Sequence, residues 1–295
     1  MKERTKNTLI RILTAVVALP VYVFLIVTDS LYSLPVLLVS IIVTGVCLWE
    51  FYQIAEGQTG YRPFVKTGMI SALIINIIMY SYAYGNITGI GSLTVNFDVR
   101  YLLAAVMIAI SVFATIHIVK RPLKGGIYSL GATILGWFII VIPYAHIMFL
   151  KSLRDGVLFI IFVHLIVMIN DTGAYFGGVY FGKHKANFKA SPNKSWEGYF
   201  SGLLFGIVFA IIYSQLIEVL YGRYFFSIVE SAIIGIIFSI IGNIGDLFES
   251  AIKRDGAIKD SGSIIPGHGG MWDVFDSTIF AMPLFYYYLV IRGII

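Results

Sequence analysis

Charge and cysteine are what this sequence has least of. Only 13% of its 295 residues are charged, against about 25% in soluble domains, while 58% are apolar and 15% aromatic. These proportions exclude both an ordinary soluble domain and a solvated, disordered chain. The one cysteine, Cys47, lies within an apolar run, so no intramolecular disulfide forms and a small packed hydrophobe is the expected role. No fixed-period repeat and no low-complexity tract occurs, which argues against a solenoid or a visibly duplicated transporter.

What is present is a series of apolar runs, each long enough to cross a bilayer at roughly 20 residues per crossing. They fall at 8–28, 34–54, 67–84, 101–119, 127–150, 156–176, 199–220, 226–245 and 274–293. The expected fold is therefore all-α, a polytopic membrane protein with about nine transmembrane helices. The first run follows Lys2, Arg4 and Lys6 but is too long for a signal peptide and lacks a small-residue cleavage site, so it reads as a retained anchor. Residues 1–150 form an N-terminal transmembrane scaffold of about five helices. Residues 151–295 read as a C-terminal transmembrane half with polar segments at 177–198 and 246–273, the half in which a site is expected.

Positive residues set the orientation, because cytoplasmic segments carry the excess of lysine and arginine. A cytoplasmic N-terminus puts 16 of the 21 on the inner side, among them Arg11, Arg62, Lys120, Arg121, Lys124, Lys183, Lys194, Lys253 and Lys259. The outer side keeps Arg100, Lys151, Arg154, Arg223 and Arg292. Lys151 and Arg154 are the awkward pair, two positive charges in one short outer loop. Because the inner charges are juxtamembrane, anionic lipid headgroups are the expected partner and nucleic acid is not.

Carboxylates near a bilayer are costly and usually face protein, water or metal. Eight gather on the inner side after residue 170: Asp171, Glu197, Asp246, Glu249, Asp255, Asp260, Asp273 and Asp276. If the eighth helix continues inward, Asp246, Ser250, Lys253 and Arg254 share one face. Beyond it Pro266-Gly267-His268-Gly269-Gly270 is a turn-forming run that brings backbone amides close to a ligand. Asp273 and Asp276 follow three residues apart, pointing to one side. Carboxylates interleaved with lysine and arginine suit metal-assisted phosphate chemistry, in which Mg2+ takes oxygen ligands and the cations neutralise phosphoryl charge.

Other motifs carry less. Gly177 to Lys183 fits the start of a P-loop, but His184 holds the Ser/Thr place and no strand precedes it. Asn170-Asp171 begins like a prenyltransferase aspartate motif, yet Ala174 stands where another aspartate is needed. His117, His146 and His164 read as packing residues and His184 as part of a basic loop. Gly202 and Gly206 form a small-residue pair suited to close helix packing or dimerisation.

Ser250, Lys253, Arg254, Lys259, Asp260, Pro266, His268, Gly269, Gly270, Asp273 and Asp276, at their observed spacing, resemble the signature of the phosphatidate cytidylyltransferases, or CDP-diacylglycerol synthases. The stretches Asp171 to Tyr175 and Ser191 to Gly198 are similar to members of that family as well. Two positions depart from it: Val274 replaces an arginine and Asn193 a lysine. The resemblance implies transfer of a cytidylyl group from CTP to phosphatidic acid in the bilayer, releasing pyrophosphate, at the cytoplasmic face of the cell (inner) membrane. It implies Lys253, Arg254, Lys259, Asp260 and His268 as catalytic residues, and Ser191, Lys194, Ser250, Gly267, Gly269 and Gly270 as substrate-binding ones. Asp246, Asp273, Asp276 and Asp171 would bind Mg2+, with a second cation of unspecified identity left open. A homodimer through transmembrane helices is a further expectation. The competing readings are an ion or solute transporter using membrane-embedded carboxylates and a catalytically weakened relative of the synthase.

Overall fold

The computed structural model describes residues 2–57, 60–85, 99–120 and 122–294. These residues form α1 Lys2–Val27, α2 Ser30–Gly57, α3 Val65–Tyr84, α4 Val99–Lys120, α5 Gly126–Gly136, α6 Ile142–Lys151, α7 Gly156–Phe181, α8 Trp196–Tyr221, α9 Ile228–Asp255 and α10 Trp272–Ile291. A π-helical turn, Trp137–Val141, joins α5 to α6 into a single rod. Pro143 follows one residue after it, and the wider turn accommodates a residue that has no N–H to give to the turn before it. Among the described residues eight helical spans are long and apolar enough to cross a membrane, and α1 adds the apolar stretch Val16–Val27. Among the described residues the nine apolar runs of the sequence thus correspond to nine helical rods, and no strand occurs.

Helices persist past the apolar runs, because a backbone leaving the bilayer keeps its hydrogen bonds until a capping residue ends the ladder. Hence α7 reaches Phe181 and α9 reaches Asp255, and the irregular parts of the polar segments shrink to residues 182–195 and 256–271. Left-handed Ala257 ends α9: its N–H reaches Arg254 O at 3.0 Å, while Ile258 N–H reaches Lys253 O at 2.9 Å.

Small residues bring the C-terminal helices together. A Cβ added at Gly202 of α8 would lie 2.8 Å from Asn170 Oδ1 on α7, and one at Gly235 of α9 would lie 2.7 Å from Ile207 Cα on α8. Gly206 meets Ser239 in the same way. The stripe read as a candidate dimer face is therefore filled within the chain. Cys47 is buried, as expected.

Contacts between helix ends define the two poles of the bundle. At one pole Glu50 of α2 reaches the start of α10, Thr14 Oγ1 donates to Pro266 O at 3.1 Å, and Tyr128 OH donates to Ala55 O at 2.7 Å. At the other, Lys151 pairs with Asp29 at 2.6 Å, Arg223 with Asp155 at 3.1 Å and Arg292 with Glu230 at 2.7 Å. Segments 182–195 and 256–271 both lie at the first pole. Arg121 lies outside the described residues, as do the side chains of Lys2, Arg4, Lys6 and Arg11.

Candidate active site at the ends of α7, α9 and α10

The C-terminal third of α9 carries Asp246, Glu249, Ser250 and Lys253 at helical spacings of three and four, which sets them along one flank. Ser250 Oγ donates to Asp246 Oδ1 at 3.4 Å. Lys253 pairs with Glu249 one turn back and with Asp273 Oδ1 at 2.6 Å. Arg254 diverges from that flank: its Nη1 donates to Ile258 O at 3.0 Å and its Nε to Ala190 O at 3.4 Å. It therefore fastens segment 182–195 to the end of α9.

Two clusters flank α9. In the first, Lys194 ion-pairs with Asp246 and stands 5.4 Å from the Tyr199 ring centre. Backbone bonds from Ala186 N to Lys194 O, 2.8 Å, and from Trp196 N to His184 O, 3.0 Å, fold residues 184–196 into a hairpin-like strap that aims Lys194 at α9. Ser195 closes the strap by capping α8, accepting from Gly198 N at 3.2 Å. Burial disfavours the Lys194 ammonium, but the adjacent Asp246 carboxylate outweighs it and lifts the lysine above its ordinary pKa. Asp171 of α7 and Asp276 of α10 interact electrostatically with Asp246. Asn170 Nδ2 donates to Asp171 Oδ1 and to Asn243 Oδ1, both at 3.1 Å.

In the second cluster Asp273 holds segment 256–271. Its Oδ2 accepts from Ser261 N at 2.9 Å, Ser261 Oγ at 3.0 Å and Gly270 N at 2.7 Å. Gly269 has φ +97°, and a Cβ there would lie 2.5 Å from that oxygen, so only glycine permits the turn. Beside it is Glu50, fully buried on α2, whose oxygens accept from Ser261 Oγ, Met271 N and Trp272 N at 2.9–3.0 Å.

Of the residues singled out in the sequence, Asp171, Lys194, Asp246, Ser250 and Asp276 thus come together, and Lys253 and Asp273 join the adjoining cluster. Lys259, Asp260, Gly267 and His268 are exposed on segment 256–271, and Ser191 lies in the turn of the strap. Val274 is exposed, so the missing arginine leaves no packing defect, and exposed Asn193 receives Lys185 Nζ on its carbonyl at 3.0 Å. Glu50 and Glu249 were not among the expected site residues. A lone carboxylate in the apolar run 34–54 is the signal by which Glu50 could have been found.

The electrostatics fit a bound cation. Asp171, Asp246 and Asp276 stand with one lysine, Lys194, and such an excess of negative charge favours a cation. Asn170 Oδ1 and Glu249 Oε1 are buried without a hydrogen-bond partner among the described residues. All these donors are hard oxygens, the chemistry Mg2+ prefers. Among the described residues no three acidic, histidine or cysteine side chains converge tightly enough to hold a metal alone. Mg2+ in phosphate-handling sites commonly keeps one or two carboxylates and completes its shell with phosphates and water.

Carboxylates and lysines thus gather at one pole of a bundle of long apolar helices, beside segments 182–195 and 256–271. The chain belongs to the Cytidylyltransferase family, whose model matches residues 9–292, and it is a nucleotidyltransferase. The phosphatidate cytidylyltransferase of Bacillus subtilis (strain 168) is 30% identical over 285 residues, covering 95% of this chain and 97% of that protein. Proteins of the same name from Staphylococcus epidermidis and Staphylococcus aureus (strain COL) are 38% and 40% identical over 136 and 140 residues, about half of each chain.

Proposed function

We propose that the chain converts CTP and phosphatidate into CDP-diacylglycerol and pyrophosphate at the cytoplasmic face of the cell membrane. A phosphatidate phosphate oxygen attacks the α-phosphorus of CTP. The bond from that phosphorus to the oxygen bridging the β-phosphate breaks, and the oxygen leaves with its electron pair in pyrophosphate. The attacking oxygen is already anionic, so alignment and charge neutralisation are the main tasks rather than general-base catalysis.

Asp246, with Asp171 or Asp276 beside it, would hold Mg2+, which supplies Lewis-acid charge to the triphosphate when bound. Lys194 from the strap, Arg254 from the end of α9 and Lys259 from segment 256–271 bring positive charge to the phosphates, and Ser250 orients Asp246. Asp273 acts chiefly as the fastener of segment 256–271, with Lys253 as its counter-charge, and His268 lies on that segment where the substrates arrive. Cytoplasmic placement is supported by the positive-charge bias, which strengthens once Lys151, Arg223 and Arg292 are seen to be ion-paired at the opposite pole.

The observation that carries this reading is the convergence of Asp171, Asp246, Asp276 and Lys194 at one pole of a chain matched by the family along nearly its whole length. The test is turnover of labelled CTP by the purified protein in liposomes containing phosphatidic acid. Lipid-soluble cytidine and pyrophosphate are expected in equal amounts, lost on chelation and restored by Mg2+. Absence of both products under folded, lipid-replete conditions overturns the reading.

A further inference from the structure

We propose that Glu50, in the N-terminal half and outside the signature-bearing segments, is a positioning residue for this reaction: it clamps the start of α10 and, through Ser261 and Gly270, sets Asp273 and Lys253. The proposal rests on the reading above for its kinetic part and on geometry alone for the clamp.

The first N–H groups of a helix have no acceptor within the helix and favour a negative charge nearby. No side chain of its own caps α10. Glu50 does so from another helix, Oε1 taking Met271 N–H at 3.0 Å and Oε2 taking Trp272 N–H at 2.9 Å. The carboxylate is fully buried and pairs with no cation among the described residues, so these donors are what satisfies it. The backbone closes around it without room for side chains: a Cβ at Gly262 would lie 2.5 Å from Oε1, and one at Gly270 would lie 2.6 Å from both oxygens.

The clamp is joined directly to the second cluster. Ser261 Oγ lies 2.9 Å from Glu50 Oε2 and 3.0 Å from Asp273 Oδ2, so the two carboxylates share its single hydroxyl proton. Three consecutive amides are divided between them, Gly270 N–H to Asp273 and the next two to Glu50. Asp273 in turn holds Lys253 at 2.6 Å. A loosened Glu50 therefore shifts Asp273, Lys253 and the segment bearing His268 together, although Glu50 itself touches no substrate.

The experiment compares the full-length wild-type protein with Glu50→Gln, Glu50→Ala and Ser261→Ala in liposomes, by initial-rate kinetics per folded molecule and by hydrogen exchange. Glutamine keeps one acceptor but turns an N–H donor toward the backbone amides, and Ser261→Ala removes only the shared hydroxyl and is the variant least exposed to misfolding. For Glu50→Gln, kcat is expected to fall about 10- to 100-fold, as when buried donors lose an acceptor, with KM for CTP changed less than about threefold. Exchange at 261–276 is expected to rise about tenfold while 156–181 is unchanged, and Ser261→Ala gives a smaller change of the same kind. Wild-type kcat together with unchanged exchange at 261–276 in both Glu50→Gln and Ser261→Ala overturns the proposal. Exchange raised equally in every helix also overturns it, by making Glu50 a general stability residue. If the wild type forms no CDP-lipid, the reaction falls, and the exchange comparison still decides the clamp.

Discussion

Lys194 stands between opposing demands: burial works against its charge, and Asp246 holds that charge in place. Replacing it with methionine keeps the bulk and removes the cation, leaving Asp171, Asp246 and Asp276 with no ion-pair partner among the described residues. Turnover by Lys194→Met is expected to drop about 100-fold or more, the scale seen when one preorganised charge is removed from an active site. Lys194→Arg, whose planar fork does not reproduce a point contact, recovers only part of it. Initial-rate kinetics check both, and wild-type rates in Lys194→Met would remove Lys194 from the site. At this scale residue types were legible and pairings were not. Asp273 and Asp276 look equivalent in the sequence, three residues apart on one helix. In the fold Asp273 spends its oxygens on Ser261, Gly270 and Lys253, while Asp276 interacts with Asp246 and Asp171. The difference comes from segment 256–271 folding over one of them, which no local spacing encodes. Glu50 was missed for a related reason: its partners lie 211 to 222 residues away in the chain.

Helices α7, α8 and α9 meet through glycines, so the position of Asp171 and Asp246 depends on how closely three rods approach. Gly202→Val is the sharpest probe, since its added carbons would overlap Asn170, whose amide orients Asp171. Overpacking of this kind costs about 1–3 kcal/mol. Thermal unfolding in detergent is expected to show that loss, with activity falling further than stability alone explains. A variant with unchanged melting and activity would mean that the α7–α8 contact does not set the site. The spans were legible as apolar runs, and the Gly202–Gly206 stripe as a packing motif. Whether that stripe faced a neighbour in the same chain or a second copy was open until the helices were placed. The π turn had only Pro143 as its signal, and a proline predicts a disturbance without its form.

The molecule as a whole is polarised. Segments 182–195 and 256–271, the start of α10 and the end of α2 share one pole, and the ion pairs of Lys151, Arg223 and Arg292 occupy the other. A membrane-impermeant maleimide tests which pole faces the cytoplasm, because native Cys47 is fully buried and stays silent. Ile264→Cys and Tyr224→Cys place exposed thiols at the two poles. Labelling of Tyr224→Cys in intact cells, and of Ile264→Cys only after the membrane is opened, is expected. The reverse pattern would overturn the cytoplasmic orientation.

Residue order by itself determined where the apolar helices fall, the helical class and the crowding of carboxylates and lysines toward one end of the C-terminal half. Those features are local: an apolar run of sufficient length must be helical in a bilayer, because no other single segment satisfies its own backbone there. The tertiary structure alone decided which carboxylate meets which cation, that Asp273 fastens a segment, and that Glu50 from the second helix completes the tenth. Those pairings depend on helix rotation, on glycine-limited approach and on two connecting segments folding back across the bundle, and they join residues far apart in the chain.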